Sequence, residues 1–180
     1  RLFADFGSSE KVVGSMLFVT AIATIVTVYF SGHISDKCGR VRALGIACIA
    51  IAVSLFLYGY VTSVGIGLLV ASISLGFGWG LTYSLGPIVL TRLVSVVERV
   101  RFFTLLSIFV MAGFGLSPVF ASILEGFGYP VQAAFYLTSS LCASRAVLFF
   151  ILIKPIQVHA LNPTLEHSSR ITLSALRQVL

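Results

Sequence analysis

The chain has 180 residues, of which 58% are apolar and only 10% charged, with a net charge of +6. An ordinary soluble domain is roughly 45–50% apolar and about 25% charged. The composition therefore excludes an intrinsically disordered chain and argues against a soluble enzyme, because twelve basic and six acidic side chains cannot cover a packed domain of this length.

The chain begins Arg1-Leu2-Phe3-Ala4-Asp5, with no Met and no secretory signal pattern, and reads as a piece cut from something longer. Residues 1–11 form a short outer segment, with Gly7 to Lys11 leading into the first apolar run. Five such runs follow, at about residues 12–30, 43–61, 64–91, 102–124 and 131–153. Each is long enough to cross a bilayer, which takes about 20 residues of helix. Backbone polar groups in lipid must be satisfied internally, so a span is a helix or a barrel strand. Barrel strands are about 10 residues long and alternate strictly. These runs do not alternate, so the expected fold class is an all-α membrane protein with five transmembrane helices. Residues 154–180 read as a linker carrying a weak amphipathic helix, with Ile171, Leu173, Leu176, Val179 and Leu180 on its apolar side.

The charges lie between the runs. Lys37, Arg40 and Arg42 follow the first, Arg92, Arg99 and Arg101 follow the third, and Lys154, Arg170 and Arg177 follow the fifth. The opposite side holds only Arg1 and Lys11. By the positive-inside rule the first set is cytoplasmic, so the chain starts outside and its tail is cytoplasmic. A basic patch for nucleic acid would instead lie along one face, so no nucleic-acid partner is expected. The cysteines, Cys38, Cys48 and Cys142, are odd in number and scattered. They suggest neither a disulfide framework nor a zinc site and are expected to be unpaired thiols. His33, His159 and His167 are isolated, so no metal or cofactor is expected.

The most informative stretch is Gly32-His33-Ile34-Ser35-Asp36-Lys37-Cys38-Gly39-Arg40-Val41-Arg42-Ala43-Leu44. It reads as a tight turn between two membrane helices. Gly32 and Gly39 permit a close approach or an unusual dihedral. Asp36 and Arg40 are four apart and would face each other if the turn were helical. The plain alternative is a basic anchor with a weak surface ion pair. The stretch resembles the signature G-x-L-x-D-x-x-G-R-x-x-x-L of the major facilitator superfamily. Gly32, Asp36, Gly39, Arg40 and Leu44 match it, Ile34 replaces the Leu, and Arg42 fits the basic run that follows; Val41 departs from it.

Further stretches resemble the same family. Gly113-Phe114-Gly115-Leu116-Ser117-Pro118-Val119-Phe120-Ala121-Ser122 is similar to its fifth-helix pattern G-x-x-x-G-P-x-x-G-G, with small residues in place of three glycines. Gly113, Ser117 and Ala121 would let a helix approach closely, and Pro118 would bend it. Glu98-Arg99 is similar to the acid-Arg loop before that helix. The resemblance implies a fragment, helices two to six of a twelve-helix carrier, lacking the first helix and the carboxyl-terminal half. It implies alternating access, with two halves rocking around a central site. Asp36 and Arg40 would belong to the charge cluster holding the cytoplasmic gate.

The third span would then line the central cavity. It carries Gly76 and Gly80, a close-packing pair, and Trp79 and Tyr83 on one helical face. The aromatic pair faces substrate or serves in packing and the interfacial belt. The resemblance places a frequent family Arg at Ser72, so any coupling role of that Arg is not carried over. Arg145 is the ionisable residue well inside a span. It marks a substrate site or snorkels toward the cytoplasmic face. The span interiors hold no Asp or Glu to act as a proton relay.

The expected function is therefore a secondary active transporter of a small solute in a cell membrane, in a bacterial inner membrane, with efflux or proton antiport preferred over uptake. Its partners would be the lipid bilayer, the small-molecule substrate and the remainder of the carrier. A channel subunit, a scaffold and an inactive truncated fragment are the alternatives. An enzyme is not expected, because no paired carboxylates, Ser/His/Asp set or metal cluster is visible.

Overall fold

The computed structural model describes residues 10–151. It contains five long helices, α1 (Glu10–Cys38), α2 (Arg40–Tyr60), α3 (Ile66–Leu93), α4 (Arg99–Gly126) and α5 (Val131–Ile151), with a single 3-10 turn at Val96–Glu98. All five are long and apolar enough to cross a membrane. The all-α membrane class read from the sequence is what the chain adopts. The expected outer segment up to Ser9 and the linker at 154–180 lie outside the described residues.

The helices stop where backbone chemistry stops them. At the end of α4, Gly128 takes a left-handed φ of 80°. Its N–H bonds to the Glu125 carbonyl, and that of Tyr129 bonds to the Leu124 carbonyl. Pro130 then prevents continuation, a glycine-terminated helix end. Between α2 and α3 the chain is extended at Val61, and α3 starts after Gly65.

The helices do not stop where the apolar runs stop. The first helix runs eight residues past Phe30 and takes in Gly32 to Cys38 of the stretch 32–44 that reads as a tight turn. Only Gly39 separates it from α2. Charged residues end an apolar run, but they do not end a helix. Lys37 in the last turn of α1 even suits the negative end of the helix dipole.

Packing gives the order α1, α3, α2, α5, with α4 touching α5 lightly. α1 and α3 run parallel: Gly76 meets Thr20 and Ala23, and Gly80 meets Thr24 and Thr27. α2 runs antiparallel to both of its larger neighbours. Against α3, the Ser54 hydroxyl donates to the Ala71 carbonyl (2.8 Å) and that of Ser74 to the Ala50 carbonyl (2.9 Å). Against α5, the Ser139 hydroxyl donates to the Ala52 carbonyl (2.8 Å). The core cluster is small, built on Ala43, Leu44, Ala47, Leu81 and Leu85, with Ile34, Phe77, Val89 and Phe149 packed on it.

This core suits a lipid solvent. Hydrocarbon supplies little drive to bury Leu, so association relies on small residues, close backbones and interhelical hydroxyl bonds. The larger apolar side chains turn outward instead, among them Phe109, Phe120 and Leu141. Ser54 is fully buried. Ser54→Ala should cost about 0.6 kcal/mol, and no more than about 1.7 kcal/mol, because an interhelical hydroxyl bond in lipid is worth that much. Equilibrium unfolding in mixed micelles measures it.

Candidate functional site

The direction of the helices gathers charge. The end of α1, the start of α2, the end of α3 and the start of α4 lie at the same end of the bundle. Lys37, Arg40, Arg42, Arg92, Arg99 and Arg101 are therefore neighbours of one surface, while the other end holds Glu10, Lys11 and Glu125.

Gly39 is the joint of this end. Its φ is 83° and its ψ 142°, a region closed to side chains with a Cβ. Its N–H bonds to the Ser35 carbonyl (2.8 Å), closing α1, and its carbonyl accepts from the Ala43 N–H (2.9 Å), opening α2. One residue thus ends a helix and starts the next. Gly39→Val should cost about 1–3 kcal/mol through backbone strain alone, seen as a lowered melting temperature of the purified chain. Gly32 differs from expectation. It lies within α1, and nothing described comes within 4 Å of a Cβ placed on it.

The expected facing of Asp36 and Arg40 is not formed. It needed a continuous helical turn, and the positive φ of Gly39 breaks that register. Asp36 is exposed in the last turn of α1, and it makes no ion pair among the described residues. Arg40 is half-buried, and its Nη1 is enclosed without an acceptor. Arg42 lies nearby in the first turn of α2. Glu98 and Arg99 flank the start of α4. The Ser95 hydroxyl donates to Glu98 Oε2 (2.8 Å), and Arg99 Nε is also enclosed without an acceptor. The basic end thus holds two guanidinium groups with unmet donors.

The second region is α3. Three of its glycines, Gly76, Gly78 and Gly80, divide between two opposite faces. Gly76 and Gly80 receive α1, and Gly78 receives α2 at Ala47 and Ile51. Trp79 and Tyr83 stand on a face that neither contact covers, their ring centroids 5.7 Å apart and tilted by 38°. Tyr83 is 59% exposed. Such a pair offers π faces together with a phenol and an indole N–H.

One turn before Gly76, Ser72 is fully buried and joins three helices. It shares a 2.8 Å hydrogen bond with the Tyr58 hydroxyl of α2, donates to the Leu68 carbonyl, and touches the Met16 sulfur of α1 at 3.6 Å. The sequence reading did not find this node. Its available signal was a hydroxyl on a helix face otherwise made of Leu, Ala and Gly.

Arg145 stands apart from the aromatic pair. It is exposed on α5, its guanidinium 5.6 Å from the Phe149 ring centroid. α2 lies between α5 and α3. The groove of about 430 Å³ between α2 and α5 is lined by apolar side chains and Ser139, and contains neither Trp79 nor Tyr83. The stripe of Gly113, Ser117, Pro118 and Ala121 falls on α4, where no described residue comes within 4 Å of a Cβ placed on Gly113. Among the described residues no group of three His, Cys, Asp or Glu could hold a metal ion.

The family model described as Major Facilitator Superfamily matches residues 2–180. No curated protein and no solved structure matches the chain.

Proposed function

Because the chain belongs to the major facilitator superfamily of membrane transporters, we propose that it works by alternating access as part of a secondary active carrier of a small solute. The observation that carries this reading is the Gly39 joint. It holds a carboxylate, Asp36, and two arginines, Arg40 and Arg42, at the basic end of helices that pack as rigid neighbours. A gate needs charges that can change partners between two packed states. Two enclosed guanidinium groups without acceptors, at Arg40 and Arg99, supply that demand here. The basic end is the cytoplasmic one on the Lys/Arg bias.

In this reading α1 to α5 are helices two to six of the carrier, and the missing partners of the gate lie in the rest of the protein. Trp79 and Tyr83 face the solute path. Arg145, exposed among lipid-facing Leu141, Leu148 and Ile151, serves as an anchor that snorkels along its apolar stem. Arg145→Gln should therefore leave the transport rate unchanged at equal protein level. A large loss would return Arg145 to the substrate path. The α4 stripe resembles the family's fifth-helix pattern, which the family associates with exchangers and efflux, and on that resemblance efflux or proton antiport is preferred over uptake.

The test is transport by the whole carrier that contains this chain, in proteoliposomes with an imposed proton gradient. Accumulation of a solute against its own gradient, abolished by a protonophore, supports a coupled carrier. Simple equilibration that follows the solute gradient at channel-like rates would sink it.

A further inference from the structure

The groove between α2 and α5 has a small floor and large walls. The floor is Ala52, Ser139 and Ala146, all buried. The Ser139 hydroxyl is engaged by the Ala52 carbonyl (2.8 Å), so the floor presents no unmet polar group. The walls are Ile49, Val53 and Phe56 on α2 and Val147 and Phe150 on α5, each between 42% and 57% exposed. The groove lies on the far side of this contact from the core. Leu44 and Phe149 mark the core side, and neither lines the groove. From Ser139 to Phe150 the α5 side rises by about 16 Å. One leaflet of hydrocarbon is half of about 30 Å.

The two ends of the groove differ. Toward the start of α5, the Tyr136 ring packs on Phe56 with centroids 5.5 Å apart, and Tyr136 lies over Gly59. Toward the basic end, Phe150 lies over Gly45, and Arg42 stands just beyond it in the first turn of α2. Arg42, Ile49, Val53 and Phe56 are spaced seven, four and three apart. This is the spacing of one helical face, so the cation continues the α2 wall of the groove. Arg42 is exposed and makes no ion pair among the described residues. Arg40 lies about 200° round the helix from it and stays with the gate. Arg145 is not the groove's cation, because its guanidinium lies by Phe149, which packs on the core.

We propose that the groove holds one acyl chain of an anionic phospholipid from the leaflet at the basic end, with Arg42 on its phosphate. A dry apolar trough one leaflet deep, with a single cation beyond its mouth, matches a molecule with one anionic head and a long apolar tail. Basic sites between membrane helices on the cytoplasmic side suit such head groups, and a guanidinium fork meets a phosphate with two hydrogen bonds. A partner helix is the poorer fit. Helices in lipid associate through small residues at close backbone approach, and here the exposed walls hold a second backbone away from the floor. The inference needs α2 and α5 to span the membrane, and it does not depend on what the carrier moves.

The experiment uses the whole carrier that contains this chain, in vesicles of equal phosphatidylglycerol and phosphatidylcholine with the same acyl chains. In one arm a trace of the phosphatidylglycerol carries a mid-chain diazirine, and in the other a trace of the phosphatidylcholine does. After illumination and digestion, mass spectrometry maps the adducts. The phosphatidylglycerol probe is expected to label residues 49–56 and 139–150 about fivefold more than the phosphatidylcholine probe, the weight of one basic residue near an anionic surface. Arg42→Gln should bring the two probes level, and Arg42→Lys should keep most of the difference. Val147→Trp fills the groove from its exposed wall and should remove adducts of both probes there, with the melting temperature unchanged. Arg145→Gln should change nothing. Equal labelling by both probes in the wild-type carrier, or an excess that survives Arg42→Gln, overturns the proposal. So does an absence of adducts in the groove, which would mean that another helix of the carrier or a second copy covers it.

Discussion

Gly76→Val is expected to remove most of the folded chain from the membrane. A Cβ at this position would strike the Thr20 carbonyl oxygen, stand 2.7 Å from Ala23 Cβ and lie 3.0 Å from the Thr24 nitrogen. Two of these three obstacles are backbone, which cannot rotate aside. Overpacking a well-fitted site typically costs about 1–3 kcal/mol and occasionally more. Gly76→Ala should fall in that range and Gly76→Val beyond it. Either the α1 contact opens or the chain is degraded. Fluorescence-detected gel filtration after graded heating reads this directly. Gly14→Ala is the control, because nothing described lies within 4 Å of its Cβ. It should be neutral or slightly stabilising, since Ala outranks Gly in a helix by about 0.8–1 kcal/mol. Equal losses in both variants would mean that α1 does not rest on the α3 glycines.

Asp36→Asn is expected to slow transport by roughly tenfold or more while leaving protein level and melting temperature unchanged. A coupling energy of about 1–3 kcal/mol, the usual size for a switch, corresponds to about 5–150-fold. Stability should not change, because the exposed Asp36 makes no ion pair among the described residues in this state. Its value must then lie in another state, where the carboxylate meets a cation. Asn keeps the shape and a hydrogen-bond acceptor but loses the charge. Initial rates in proteoliposomes, normalised to protein level, decide the matter. An unchanged rate would reject the gating role, and a fall in melting temperature would recast Asp36 as structural.

Sequence carried the architecture a long way because a membrane leaves few options. Apolar length and the absence of alternation are enough for five helices. The first helix continues past the end of its apolar run, since hydropathy marks the lipid boundary and not the last hydrogen bond. The residues from Ser31 to Cys38 are largely polar or charged, yet they are still helical. The positive φ of Gly39 was legible as an option of glycine, though not that one residue would serve as the whole connection. Gly76 and Gly80 were readable as one close-packing face. Gly78 was not, because a contact on the opposite face follows from where α2 sits. The hydroxyl seam of Ser54, Ser74 and Ser139 was likewise invisible, because its acceptors are carbonyls on helices distant in sequence. Arg145 could be flagged by cost alone, but whether it faces lipid or solute depends on which helix stands between α5 and α3.

The order of packing has a consequence for how the bundle is made. α1 and α2 are joined by one residue, yet they touch along little of their length, and each leans on α3 instead. When α1 and α2 have entered the bilayer, they are a hairpin whose arms hardly touch each other. α3, which follows them, brings its glycine faces between them, and only then do Thr20, Thr24 and Thr27 on one side and Ala47 and Ile51 on the other find their seats. α3 is thus the keystone of assembly. A ribosome that stalls before Ile66 would leave α1 and α2 inserted but not packed together.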